Sequence, residues 1–163
     1  MPANTPESPQ GSQLAYKLNS DGISLLEQAL LEQGSLQQKL YSRAKENFNE
    51  VLDISKDLEN LLWQAYALNN LGLVYFLRAT VQREEGQRKE LQTAEEFYKQ
   101  AQETIERLII SVGPSEEIAS AIEVIKANKR YIDNIDNFDA LVSLLESFTL
   151  NAVSGGSTGG TLP

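Results

Sequence analysis

Gly72 stands in the middle of an apolar helical run, residues 65–77, and this placement constrains the fold more than any other feature of the chain. Inside a helix, glycine costs about 1 kcal/mol relative to alanine. A sequence tolerates that cost where a side chain would block a neighbour. Leu71 and Tyr75 put bulk on either side of the gap. A second run places Ala94, Tyr98 and Ala101 at small–large–small spacing. Together the two runs predict one helical hairpin in tight internal contact.

The rest of the pattern is helical too. No stretch alternates apolar and polar residues for long, and no Asn-Gly or Asp-Gly marks a hairpin of strands. A first helix is expected from a cap at Ser20 or Asp21, with Ile23, Leu26 and Leu30 on one face and Gly34 closing it. A second carries Leu36, Leu40, Ala44, Phe48, Val51 and Leu52. A third, over residues 57–80, carries Leu58, Leu61, Ala65, Leu68, Leu71 and Tyr75. The charged segment 83–90 reads as an interruption. A fourth helix carries Leu91, Ala94, Tyr98, Ala101, Ile105 and Leu108. Gly113-Pro114 is the clearest break, and Ser115 is a natural cap with Glu116 and Glu117 at the positive end of the helix dipole. A fifth helix carries Ile118, Ile122, Ile125 and Ile132, and a last one Phe138, Leu141, Val142, Leu145 and Phe148.

Residues 1–13 hold three of the five prolines and read as a disordered arm. Residues 154–163 hold four of the ten glycines and read as a flexible tail. Residues 14–153 are then the helical domain, an all-α fold of five to seven helices. Short connections make neighbours antiparallel.

Composition removes several function classes. The chain has no histidine and no cysteine. It therefore lacks the commonest general base, thiolate metal sites and disulfides. Twenty-three acidic residues against 14 basic ones give a net charge of −9. Nucleic-acid binding needs a basic footprint, so DNA and RNA are poor partners. No apolar run reaches the roughly 18 residues needed to span a bilayer. The first residues do not follow a signal-peptide pattern. A soluble, cytoplasmic protein with no membrane insertion is the expectation.

Internal repetition sets the architecture. Ala44, Phe48 and Val51 recur fifty residues later as Ala94, Tyr98 and Ala101. In this respect the chain resembles the tetratricopeptide-repeat family, whose unit of about 34 residues pairs two helices. Leu68, Leu71, Gly72 and Tyr75 match the first helix of such a unit, and Ala94, Tyr98 and Ala101 match the second. About ten extra residues separate the halves, and the segment around Gly86 is their expected home. An earlier, degenerate unit is marked by Ile23, Leu26, Leu30 and Gly34, with Glu27 where the small residue belongs, and by Ala44, Phe48 and Val51. The resemblance implies antiparallel hairpins stacked as a short solenoid.

It also implies a binding surface. In the family, first helices line a concave wall that holds a peptide. The corresponding residues here are Tyr66, Asn69, Asn70, Leu73, Phe76 and Leu77, with Asn70 placed to hydrogen-bond a peptide backbone. Residues 71–77 are apolar nearly all round, which means burial on every side or an exposed binding face. No Lys or Arg falls at the positions of a carboxylate clamp, and Arg78 lies just outside. The carboxylates Glu95-Glu96, Glu116-Glu117 and Asp133…Asp136…Asp139 lack the glycine and terminal glutamate of a calcium loop. They read as caps and solvated faces, so no metal, cofactor or catalytic residue is expected. Trp63 reads as a core residue or one between repeats. The functional expectation is a non-catalytic protein-interaction module: an adaptor, assembly factor or scaffold holding a partner polypeptide. The alternative is a self-associating helical bundle without a peptide groove, forming a homo-oligomer.

Overall fold

The computed structural model describes residues 9–133. They form five α-helices: α1 (Pro9–Leu30), α2 (Gly34–Asp57), α3 (Leu61–Ala79), α4 (Glu84–Val112) and α5 (Glu116–Asp133). There is no strand among the described residues, and the fold is all-α. The helix expected around Phe138 to Phe148 and the tail at 154–163 lie outside the described residues.

The helix boundaries follow local chemistry. α1 starts at Pro9, well before the cap expected at Ser20 or Asp21. Proline costs nothing in a first turn, where its missing N–H would have no helical partner. Ala15, Asn19, Gly22, Leu26 and Ala29 are buried at spacings of three and four, so one continuous face holds the helix through the expected cap. Asp21 is mid-helix and takes a hydrogen bond from Lys17 Nζ one turn back, at 2.7 Å. Between α2 and α3 the chain turns sharply. Asn60 N–H donates to the Ser55 carbonyl and Glu59 N–H to the Lys56 carbonyl, the hydrogen-bond pair of a Schellman turn. Glu59 takes φ 52° at the left-handed position. Asn60 then caps α3, its Oδ1 accepting from Trp63 N–H at 3.0 Å. Later, Gly113 ends α4 at φ 81°, and Ser115 Oγ accepts from Ile118 N–H at 3.2 Å to cap α5.

The segment around Gly86 is not an inserted loop. Only residues 80–83 connect α3 to α4, and Glu84 and Glu85 already form the first turn of α4. There they favour the positive helix end. The extra residues lengthen the helix instead.

Consecutive helices pack as antiparallel neighbours, α1 on α2, α2 on α3, α3 on α4 and α4 on α5, and α3 also touches α1 and α5. α3 is thus the hub. Leu68, Leu71, Ala44, Phe48, Val51, Ala94, Tyr98 and Ala101 lie in one apolar core. Tyr75 sits at its edge, stacked on Phe97 with ring centroids 5.4 Å apart.

The two hairpins repeat each other in atomic detail. A Cβ on Gly72 would fall 2.6 Å from Tyr98 Cε1, and a Cβ on Gly22 would fall 2.7 Å from Phe48 Cε1. Gln87 Nε2 donates to the Ala79 carbonyl at 3.3 Å. Gln37 Nε2 donates to the Ala29 carbonyl at 3.0 Å. Every partner is displaced by fifty residues. Gly22, rather than Glu27, therefore fills the small-residue position of the first hairpin, and Glu27 is exposed.

Candidate functional site

The face of α3 expected to line an open groove is closed. Tyr66, Asn69, Asn70, Leu73, Phe76 and Leu77 are all 3% exposed or less. α2 and α4 pack against α3, and α1 and α5 touch its flanks. Apolar side chains nearly all round the helix are the signature of burial. The six side chains expected to line a peptide groove pack inside the fold instead.

The polar members of that face bind one another. Asn128 Nδ2 donates to Asn69 Oδ1 at 2.9 Å. Asn69 Nδ2 donates to Asn70 Oδ1 at 3.2 Å. Asn70 Nδ2 donates to Asn19 Oδ1 at 2.8 Å. The relay runs from α5 through α3 to α1, and all four asparagines are fully buried. An amide carries both donors and an acceptor, so a chain of them can pass hydrogen bonds along without charge. Asn70 thus engages an α1 side chain where the family resemblance implied a bound peptide.

Two aromatic groups report the same closure. Burial pushes the Tyr66 phenol well above its ordinary pKa, and the Glu117 carboxylate adds to the shift. Trp63 is half-buried and meets Tyr66 edge-on, with centroids 5.7 Å apart. Burial alone pushes Tyr41 up to about 12. Arg78, the cation nearest the expected groove, pairs with Glu90 Oε1 at 2.9 Å across the α3/α4 contact. It also lies 5.5 Å from the centre of the Tyr75 ring, within cation–π range.

Other surfaces are open. A groove of about 200 Å³ runs between α4 and α5, with Ile105, Ile109, Ile122 and Ile125 along it, Gln102 and Glu106 on one rim, and Lys126 and Lys129 on the other. A more polar cleft of about 270 Å³ lies among α2, α3 and α4, bounded by Leu52, Lys56, Gln64, Leu68, Gln100, Glu103, Thr104 and Arg107. At the hairpin turns, Leu31 is 86% exposed and Val81, its equivalent fifty residues on, is 43% exposed. Sequence reasoning missed these turn residues. Their signal was the fifty-residue displacement already visible in the second helices.

No group of three or more metal-ligating side chains occurs among the described residues. No helix among them is long and apolar enough to cross a membrane. No protein-family model, curated protein or solved structure matches the chain.

Proposed function

We propose that this chain is a non-catalytic protein-interaction module, a cytoplasmic adaptor, assembly factor or scaffold. Its hairpins stack as a short tetratricopeptide-like solenoid, with a longer repeat than that family uses. Its partner is an extended polypeptide of basic character, lying along the edge formed by the hairpin turns rather than against the filled face of α3. One observation carries this reading: Leu31 and Val81 expose apolar side chains at equivalent turns of successive hairpins. Both turns join a first helix to a second, so they fall at the same end of the stack. A ligand crossing that end meets the same apolar tip twice. The net charge of −9 favours a partner of opposite sign.

The test begins with co-purification from the native host and identification by mass spectrometry. The partner is then made separately and titrated against the pure chain. Defined stoichiometry is expected, with binding weakened at least about tenfold by Leu31→Asp plus Val81→Asp, the order of a lost contact of about 1.4 kcal/mol. Both positions are exposed, so the fold survives the change. Equal binding by wild type and double variant overturns the edge.

A second reading, self-association, is favoured by Ile110 and Val112 at the end of α4, 86% and 69% exposed. Light scattering separates the two: a monomer at every concentration argues against it.

A further inference from the structure

We infer that the cleft among α2, α3 and α4 is a binding site for a small anionic amino acid, a molecule with two carboxylates, one ammonium and a short hydrocarbon body. α2 and α4 both pack on α3. Lys56 comes from the α2 wall, Glu103 and Arg107 from the α4 wall, and the buried Leu52 and Leu68 give the cleft its apolar part. Its volume of about 270 Å³ falls just under the roughly 300–1,000 Å³ of drug-sized sites. The occupant is therefore small.

Charge selects the class. Lys56, Glu103 and Arg107 take part in no ion pair among the described residues. Glu103 and Arg107 stand one helical turn apart, the spacing at which opposite charges ordinarily pair. Three uncommitted charged groups thus line one cleft. Two cations against one carboxylate make the lining locally positive in a chain of net charge −9. A ligand that balances all three carries two carboxylates and one ammonium. Arg107 offers a planar fork to one carboxylate and Lys56 a point charge to the other. Glu103 takes the ammonium. Leu52 and Leu68 are left for the methylenes. A bare dicarboxylate would set Glu103 against like charge, and a neutral amino acid would leave one cation unbalanced.

The polar neighbours are held in place. Gln64 Nε2 donates to the Ser55 carbonyl at 3.3 Å. Gln100 Nε2 donates to Glu96 Oε1 at 3.2 Å. Each amide keeps a second N–H and an acceptor oxygen for a ligand. Lys56 stands in the last turn of α2 and Gln64 in the first turn of α3. The cleft therefore lies near the α2/α3 turn, at the opposite end of the stack from Leu31 and Val81. The two surfaces are separate, so this site does not depend on partner binding at the hairpin turns.

Amide NMR titration of the full chain with L-glutamate tests the site. Saturable shifts are expected within residues 52–68 and 100–107, with a Kd at or below about 1 mM at low salt. Lys56→Ala and Arg107→Ala are each expected to weaken binding at least about tenfold. Glu103→Gln is expected to weaken L-glutamate and to strengthen glutarate, which lacks the ammonium. All three side chains are exposed, so the variants are expected to keep the wild-type urea midpoint. No saturable shift up to about 10 mM L-glutamate overturns the proposal. So does equal binding by wild type and variants, or tighter binding of glutarate than of L-glutamate by the wild type. Poly-glutamate that binds more tightly than the free amino acid, through Lys56 and Arg107, assigns the cleft to an acidic polypeptide and also overturns it.

Discussion

Tyr98 Cε1 lies 2.6 Å from the place where a Cβ on Gly72 would stand, and real Cβ contacts do not come that close. Two opposed terms meet at this position. Gly72→Ala gains about 1 kcal/mol of helix propensity. It also forces the Tyr98 ring, buried between α3 and α4, out of its packed place. Overpacking of this kind costs about 1–3 kcal/mol, and occasionally more. The clash is the larger, because a buried ring has nowhere to swing. Urea unfolding of Gly72→Ala is expected to show a net loss of up to about 2 kcal/mol, with Tyr98→Leu restoring part of it in the double variant. Gly22→Ala with Phe48→Leu should behave alike. An alanine variant more stable than wild type removes the close approach as the reason for glycine.

The asparagine relay makes a different prediction. Asn70→Ala takes the donor from Asn19 Oδ1 and the acceptor from Asn69 Nδ2, both fully buried. Leaving buried polar groups without those partners costs about 1–3 kcal/mol. The exposed control Asn49→Ala should stay within about 0.5 kcal/mol. A double-mutant cycle on Asn19 and Asn70 should return a coupling near 1 kcal/mol, because each loss already removes the shared bond. Additive losses would mean that the two amides do not communicate.

Glu59 is the one described non-glycine residue at positive φ. It occupies the turn position where glycine carries no Cβ penalty. The left-handed conformation costs an L-residue about 1–2 kcal/mol, while glycine loses more chain entropy on folding. The balance favours Glu59→Gly by about 0.5–1 kcal/mol, readable as a higher urea midpoint at unchanged slope. A lower midpoint would show that the glutamate side chain contributes something its geometry does not reveal.

How much of this was legible in the sequence depends on what each residue does locally. Gly113 and Ser115 were readable because turn and cap chemistry acts within a few residues. The close packing of the α3/α4 hairpin was readable because small residues at 72, 94 and 101 stand among large ones at 71, 75 and 98. Gly22 was missed because the first hairpin was registered on Ile23, Leu26 and Leu30. Sliding the chain by fifty aligns Ala15, Tyr16, Leu18, Asn19 and Gly22 with Ala65, Tyr66, Leu68, Asn69 and Gly72. The groove residues failed for another reason. An apolar helix reads the same whether its last face meets solvent, a ligand or a further helix, and Asn69 meets Asn128 across 59 residues. No local pattern carries that pairing.

The buried tyrosines set the alkaline limit of the fold. Tyr41 is pushed up to about 12 by burial. Tyr66 is raised as well, by burial first and then by Glu117. In the unfolded chain both phenols return to about 10. Above that pH the unfolded state sheds protons that the native state keeps, so stability falls as pH rises. Below pH 10 both states hold the protons, and these groups impose no slope. Urea midpoints are therefore expected to be insensitive to these tyrosines through neutral pH. They should then decline between pH 10 and 12 by up to about 1.4 kcal/mol per pH unit for each tyrosine. Tyr66→Phe should flatten the decline, and phenolate absorbance of the two buried rings should appear only with unfolding. A wild-type profile level to pH 12 would contradict the burial of both hydroxyls.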